Sequence, residues 1–254
     1  MSTVNLDVAA GIGRVTLNRP ERMNAIGTVL LHDLHAALTE AAERPDVSVI
    51  LLCGAGRAFC AGDDLKEFDQ QTRDDAAIRA HIAGIQQITH DLMFGSKIVV
   101  GAVHGFAVGG GFEWMLNCDL VVASDDLQAF FPEMEWGQFV TGGVTHLLPL
   151  AVGYQRAMEL MLLGERQSAA RLAGLGLVNR VVPREALLET ATALASVVAG
   201  KSRFSTGRLK RLMTVDLSNL LHRALDLEAA ATIEAFGNPE AAERVVRFAT
   251  RKSS

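Results

Sequence analysis

The sequence predicts α/β architecture over roughly its first 150 residues and an almost wholly helical part behind them. Three observations lead there. Strand, glycine turn and helix recur at irregular spacing, with no repeat of fixed length. Several strands are continuous apolar runs, the pattern of strands buried on both faces. Beyond Ala151 the apolar residues recur at helical spacing. At about 150 residues per domain, 254 residues make one large domain, or one domain with a small appendage.

Val4–Val8 and Ile12–Leu17 alternate with period two around Ala9-Ala10-Gly11, which predicts an opening hairpin. From Thr28 to Arg44 the residues Leu30, Leu31, Leu34, Ala37, Leu38 and Ala41 keep helical spacing, and Pro45 ends the run before a buried strand, Ser48–Cys53. Asp75–Met93 reads as a second long helix. The strand Lys97–Val103 leads through a glycine cluster to a short helix, Gly111–Asn117, and then to the strand Leu120–Ala123. Helices are expected at Tyr154–Leu163, Ser168–Ala173, Pro183–Ala199, Ser205–Met213, Ser218–Phe236 and Pro239–Thr250, interrupted only by a strand at Leu177–Val182. The helical C-terminal part therefore begins between about Pro183 and Gly200, which divides the chain into 1–195 and 196–254. Its alanine-rich amphipathic faces suit packing against another surface, a neighbouring subunit among the candidates.

Composition narrows the function classes. With 49% hydrophobic and 21% charged residues and a net charge of −5, the chain reads as a soluble globular protein without a nucleic-acid footprint. Cys53, Cys60 and Cys118 lie in apolar context and form no CxxC pair, so they support neither a disulfide framework nor a structural zinc site. Buried thiols in a reducing cytoplasm fit best. The N-terminus lacks a basic region followed by a long apolar one, so no secretory signal is expected and the mature protein starts near Met1. The most apolar uncharged run, Ile98–Phe112, is fifteen residues long and carries His104 and five glycines, too short and too broken to span a bilayer.

Two glycine-bearing loops could carry chemistry. Val99–Glu113 runs a strand into three consecutive glycines and a helix, whose first N–H groups lack intrahelical partners and sit at the positive end of the dipole. A tight turn or close backbone packing would explain the same glycines. The spacing matches neither GxGxxG nor GxxxxGK[ST]. Gly54–Phe68 likewise follows a buried strand and precedes a polar, helix-like start. If the loops face each other, they supply the pair of converging backbone donors that an oxyanion needs.

Glu113 and Glu133 interrupt apolar context, which should push their pKa values up toward neutral pH; an ordinary first-turn glutamate and a solvated loop acid are the competing readings. Glu135, two residues on, is the decoy. His32 and His35 stand at i, i+3 without a third ligand, so a metal role is disfavoured. For His104 and His146 packing or surface exposure outweighs a pocket role. No GxSxG elbow is present.

Taken together, Asn18–Ala25, Ala58–Lys66, Gly105–Glu113, Asn117–Asp119, Pro132-Glu133 and Ala173–Val182 resemble the enoyl-CoA hydratase/isomerase family, the crotonases. The resemblance is collinear over nearly the whole chain. It implies the crotonase (ClpP/crotonase) fold, a spiral of repeated ββα units forming two roughly perpendicular sheets, with a helical C-terminal region that forms homotrimers or hexamers. It further implies an acyl-CoA thioester substrate whose carbonyl lies between the backbone N–H groups of Asp63 and Gly110. Glu113 and Glu133 match the catalytic pair of the hydratases. Arg22, Asp64, Leu65, Lys66 and Arg251 match the region around coenzyme A, and Ala61 and Thr141 match positions that border the substrate. No metal or redox cofactor is implied, coenzyme A being part of the substrate.

Two departures matter. Asp63 stands where the family usually has Ala, Ser or Gly, so its carboxylate must turn away if the backbone is to hold an oxyanion. Val140–Thr145 replaces the family's usual Pro-Gly-Ala-Gly-Gly-Thr, and Trp114 and Trp136 add bulk near the acids. The expected activity is therefore addition of water to a 2-enoyl-CoA, with an isomerase or acyl-CoA hydrolase on the same scaffold as the alternative. A non-catalytic acyl-CoA-binding or RNA-binding protein is the alternative of a different class, opposed by both glutamates and by the acidic charge.

Overall fold

The computed structural model describes residues 2–64, 67 and 74–244. In chain order the strands are β1 (Val4–Ala9), β2 (Ile12–Leu17), β3 (Val49–Gly54), β4 (Ile98–Val103), β5 (Phe106–Val108), β6 (Leu120–Ser124), β7 (Gln128–Phe130), β8 (Gln167–Ser168) and β9 (Arg180–Val182). The helices are α1 (Thr28–Glu43), α2 (Asp75–Phe94), α3 (Gly110–Asn117), α4 (Val144–Val152), α5 (Tyr154–Leu163), α6 (Ala169–Gly174), α7 (Leu187–Ala199) and α8 (Arg203–Gly237). Residues 239–244 are helical again.

Six strands pair in the order β1-β2-β3-β4-β6-β9, and a second sheet runs β5-β7-β8. The predicted hairpin is the antiparallel β1–β2 pair, and from β2 to β9 the large sheet is parallel, with Val15, Leu52, Gly101 and Val121 in register across it. Parallel strands must be joined by crossovers, and here each crossover has a repeated form. After leaving the large sheet the chain makes a short second pairing before entering a helix. Ile26 pairs with Asp63 ahead of α1, Cys60 pairs with Ala107, β5 precedes α3, and β7 precedes a 3-10 turn at Glu133–Trp136. These are the turns of the spiral.

Period two sorts the strand residues between two cores. Val49, Leu51 and Cys53 of β3 pack with Leu187, Ala191, Leu194 and Ala195 of α7, while Ile50 and Leu52 join α1, Phe59, Phe112 and Phe131 on the other face. Burial on both faces is what the continuous apolar runs predict.

The C-terminal helices differ from expectation. Ser205–Met213 and Ser218–Phe236 belong to one helix, α8, of 35 residues. The Thr214–Leu217 stretch has weak helix propensity, yet the helix is clamped on both sides of it, and such packing outweighs propensity. On one side Lys210, 3% exposed, reaches 2.7 Å from Asp119 and donates to the carbonyls of Leu92 and Lys97. On the other, Leu221, Leu225 and Glu228 are buried. Helix α4 lies outside the helices expected from spacing; it follows Gly142-Gly143 and carries Pro149 three residues before its end. The strand expected at Leu177–Val182 shrinks to β9, since Leu177 N–H turns back to the Leu172 carbonyl. Strand β8 adds a second interruption to the helical part, and β5, β7 and β8 are too short to show a period. Among the described residues no helix is long and apolar enough to cross a membrane.

Candidate active site

Helices α2, α3 and α8 and the 3-10 turn at Glu133–Trp136 line a cleft of about 710 Å³, open solvent at its mouth included. Ala61, Asp63, Gly110, Glu113, Glu133 and Thr141 all line it, so the two glycine loops do face each other.

The backbone fixes their approach. Gly62 has φ +80°, and a Cβ there would sit 2.9 Å from the Val108 carbonyl oxygen, so only glycine lets the first loop lie against β5. Asn24 locks the same loop from beneath: its amide nitrogen donates to the carbonyls of Ala55, Ala58 and Phe59, and its oxygen accepts from Arg19 N–H. The Ile26–Asp63 pairing runs through the Gly62 carbonyl and the Asp64 N–H. Gly110 is the first residue of α3, where an N–H has no intrahelical acceptor. Gly109 ahead of it has φ +51°, and a side chain there would collide with Glu133.

The Asp63 carboxylate is held by His81 of α2, with Nε2 2.9 Å from Oδ1. Burial opposes a charge on the imidazole, but the neighbouring Asp63 outweighs it and raises the His81 pKa above its usual value. The pair gives the Asp63 carboxylate a hydrogen-bonding partner on α2.

Glu113 is 1% exposed; Oε1 accepts the Thr141 N–H at 3.0 Å, and Oε2 is buried with no partner among the described residues. Burial first, then the nearby Glu133 and Glu228, lift its pKa well above the carboxylate range, with the Thr141 N–H pulling the other way. Glu133 sits half-buried in the 3-10 turn with Oε2 enclosed and unpartnered, and burial pushes it up to about 8. Two acids with raised pKa values in one cleft can hold and exchange a proton at neutral pH. Glu135 is exposed, as a decoy should be.

Other expectations fall outside the cleft. Arg22 is exposed on a 3-10 turn, Pro20–Arg22, away from the lining, and Asp64 is buried in an ion pair with Arg19 at 2.8 Å. Leu65, Lys66 and Arg251 lie outside the described residues. Trp136 lines the cleft, whereas Trp114 is packed fully inside the main core. His104 is buried against the Gly56 carbonyl, and burial lowers its pKa to about 4. His35 pairs with Asp91 at 2.7 Å, and among the described residues no three metal-ligating side chains gather.

Sequence reading missed four contributors. His81 is 18 residues from Asp63, with only an isolated histidine in a helical run as signal. Gln138 and Thr232 line the cleft as ordinary polar residues in amphipathic context. Glu228 of α8 accepts from Gly143 N–H at 2.7 Å and from Thr145 N–H and Oγ1 at 2.8 and 2.6 Å, capping α4, whose own N-cap is a glycine. It joins the C-terminal helix to the segment that presents Thr141.

The chain is similar to known proteins over nearly its whole length. Residues 7–253 match the enoyl-CoA hydratase/isomerase family. A mitochondrial enoyl-CoA hydratase of Pongo abelii is 30% identical over 96% of this chain and 82% of its own length. A mevalonyl-coenzyme A hydratase of Aspergillus fumigatus is 36% identical over 74% of this chain and 69% of its own. The crystal structure of an enoyl-CoA hydratase/isomerase from Mycobacterium paratuberculosis superposes with a TM-score of 0.90 at 25% identity, covering 97% of this chain and 98% of that one. The fold is thus the crotonase fold.

Proposed function

The chain belongs to the enoyl-CoA hydratase/isomerase family, and on that premise we propose that it adds water across the 2,3 double bond of a 2-enoyl-CoA thioester. The observation that carries the reading is the pair Glu113 and Glu133, enclosed in one cleft with an unpartnered carboxyl oxygen each. An isomerase moving one proton between carbons needs only the acid at Glu133, so a buried, costly Glu113 favours hydration.

The thioester carbonyl lies between the N–H groups of Asp63 and Gly110. Glu113, acting in its ionised form, to which the Thr141 N–H donates, takes a proton from water as the water oxygen bonds to Cβ. The π electrons move onto the thioester oxygen as an enolate, and the two donors stabilise it. Glu133, protonated at neutral pH, then delivers its proton to Cα, and a proton passing from Glu113 to Glu133 resets the pair. One water is consumed and no electrons are transferred. The thioester and the donors provide the electron sink, so the mechanism invokes no metal or redox cofactor.

Coenzyme A is assigned to the face bearing Arg22, Ala61 and Asp64, with Leu65, Lys66 and Arg251 as further contacts. Self-association as a homotrimer or hexamer is supported by α8, on which Phe204, Leu212 and Met213 are 74, 69 and 68% exposed. Such packing against further copies of the chain would cover them. We assign the protein to the cytoplasm, without a nucleic-acid or membrane partner. The test is loss of enoyl-thioester absorbance with crotonyl-CoA and gain of one water by mass spectrometry. Conversion of a 3-enoyl to a 2-enoyl thioester without hydrated product would reject the hydratase. The names of the relatives span unspecified enoyl groups and mevalonyl, so the acyl group has to be read from this chain's own cleft.

A further inference from the structure

Two side chains in the cleft take no part in the proton transfers. Gln138 is 5% exposed, yet its amide nitrogen and oxygen are both buried without a hydrogen bond among the described residues. The hydroxyl of Thr232, a residue 6% exposed, is in the same condition. Both residues line the cleft that holds Glu113 and Glu133. Leaving such a group buried and unpaired is costly, and a cleft built only for hydrocarbon would carry Leu and Val here at no such cost.

Their backbones are set independently. Gln138 N–H donates to the Glu133 carbonyl at 2.8 Å, closing the 3-10 turn, so its side chain starts from the same anchored segment as the acid. Thr232 stands one helical turn beyond Glu228, whose carboxylate is fixed by three hydrogen bonds to Gly143 and Thr145. Two rigid elements from opposite parts of the chain thus bring unpaired polar groups into one cavity, a preorganised arrangement.

Charge and donor count narrow the ligand. Asp63, Glu113, Glu133 and His81 line the cleft, and among the described residues no Lys or Arg does. An anionic substituent would meet three acids and, among the described residues, no ammonium or guanidinium, while an ammonium would pair with the acids and upset their proton exchange. Gln138 offers a donor and an acceptor, and Thr232 can be either. The complement is a neutral group that both gives and accepts a hydrogen bond. Ile78, Ile82 and Phe139 supply apolar wall for the carbons beside it.

Resting on the acyl-thioester reading above, we propose that the acyl chain this cleft accepts bears a hydroxyl group, bound by Gln138 and Thr232, and that these residues determine specificity against plain hydrocarbon chains. The test uses matched thioesters differing only in a terminal hydroxyl: crotonyl- against 4-hydroxybut-2-enoyl-CoA, and pent-2-enoyl- against 5-hydroxypent-2-enoyl-CoA, for kcat/KM. The saturated butanoyl, 4-hydroxybutanoyl, pentanoyl and 5-hydroxypentanoyl thioesters are titrated calorimetrically for Kd. At one chain length the hydroxylated member should win by about 10- to 100-fold in both measurements, the range for one well-made buried hydrogen bond. Gln138→Met and Thr232→Val should each bring the ratio toward one, and Thr232→Ser should keep it. Because each ratio is taken within one variant, partial loss of folded protein cancels. A wild-type ratio near one at both lengths, or a ratio that survives Gln138→Met and Thr232→Val together, overturns the proposal. Crotonyl-CoA hydration with a ratio of one sinks this inference and leaves the hydratase reading standing. Hydroxyl-selective binding of the saturated thioesters without hydration of any enoyl substrate does the reverse.

Discussion

Replacing Glu133 by Gln should make the protein's stability less sensitive to pH, and the size of the change follows from the site. Burial raises the Glu133 pKa from 4.5 to about 8. Between those values the folded chain keeps a proton that the unfolded chain has lost, so folding takes up a proton and stability falls as pH rises. This contribution is fully present below pH 4.5 and gone once the pH passes about 8. One whole proton corresponds to about 1.4 kcal/mol per pH unit, or about 2.7 kcal/mol from pH 5.5 to 7.5. The amide is isosteric and uncharged, and Oε2 has no hydrogen bond among the described residues to lose. Urea unfolding of both proteins at pH 5.5, 6.5 and 7.5, at one fixed concentration because of self-association, can be followed by fluorescence, with Trp136 in the same 3-10 turn. The stability of the variant relative to wild type should grow by about 2–3 kcal/mol across that range, while its kcat falls. A difference that is flat, or that shrinks as pH rises, would mean that Glu133 is already ionised in the folded protein. The assignment of Glu133 as the proton donor would fall with it.

Glu113→Gln should lower kcat for hydration by about 10²–10⁴; a mild effect beside a severe Glu133→Gln would indicate proton shuttling between carbons instead. Asp63→Ala should leave activity intact or raise it, since only the backbone is used, whereas His81→Gln strands the carboxylate next to the oxyanion and should lower kcat; the double variant should recover, and steady-state kinetics of the three proteins decide. Glu228→Ala uncaps α4 and leaves the buried Gly143 N–H and the Thr145 N–H without their acceptor, for a loss of about 1–3 kcal/mol measured by urea unfolding. Light scattering should give three or six times the 27.2 kDa chain mass, and a monomer at micromolar concentration would contradict the self-association reading.

The long elements were legible because a single pattern governed each of them, a period in α1, α2, β1 and β2 and an unbroken apolar run in β3 and β4. Helices α1 and α2 and strands β1 to β4 follow from these patterns, and the structure moves their ends by no more than two residues. Short pieces were not legible. Strands β5 and β7 have three residues each, less than two full alternations, and exist because the preceding large-sheet strand delivers the chain to the second sheet. The single course of α8 was hidden for a different reason: what sustains it through Thr214–Leu217 is a lysine paired with Asp119, 91 residues away.

The site divides along the same line. Glu113, Glu133 and the two glycine loops are visible because each breaks its local pattern, an acid in apolar sequence or glycines where a strand should become a helix. His81, Gln138, Thr232 and Glu228 break no pattern; each is an unremarked polar residue on a helix or turn, and its role arises only where the chain closes on itself. Asp63 links the two groups. As a departure from the family it was legible, but the sequence left open whether its charge would oppose the oxyanion. The imidazole 2.9 Å away settles where the carboxylate goes. If that pairing is what keeps the acid tolerable, Asp63 and His81 should act as one unit under mutation, and the double variant should be more active than His81→Gln alone. Additive losses would show that His81 contributes to the cleft in its own right.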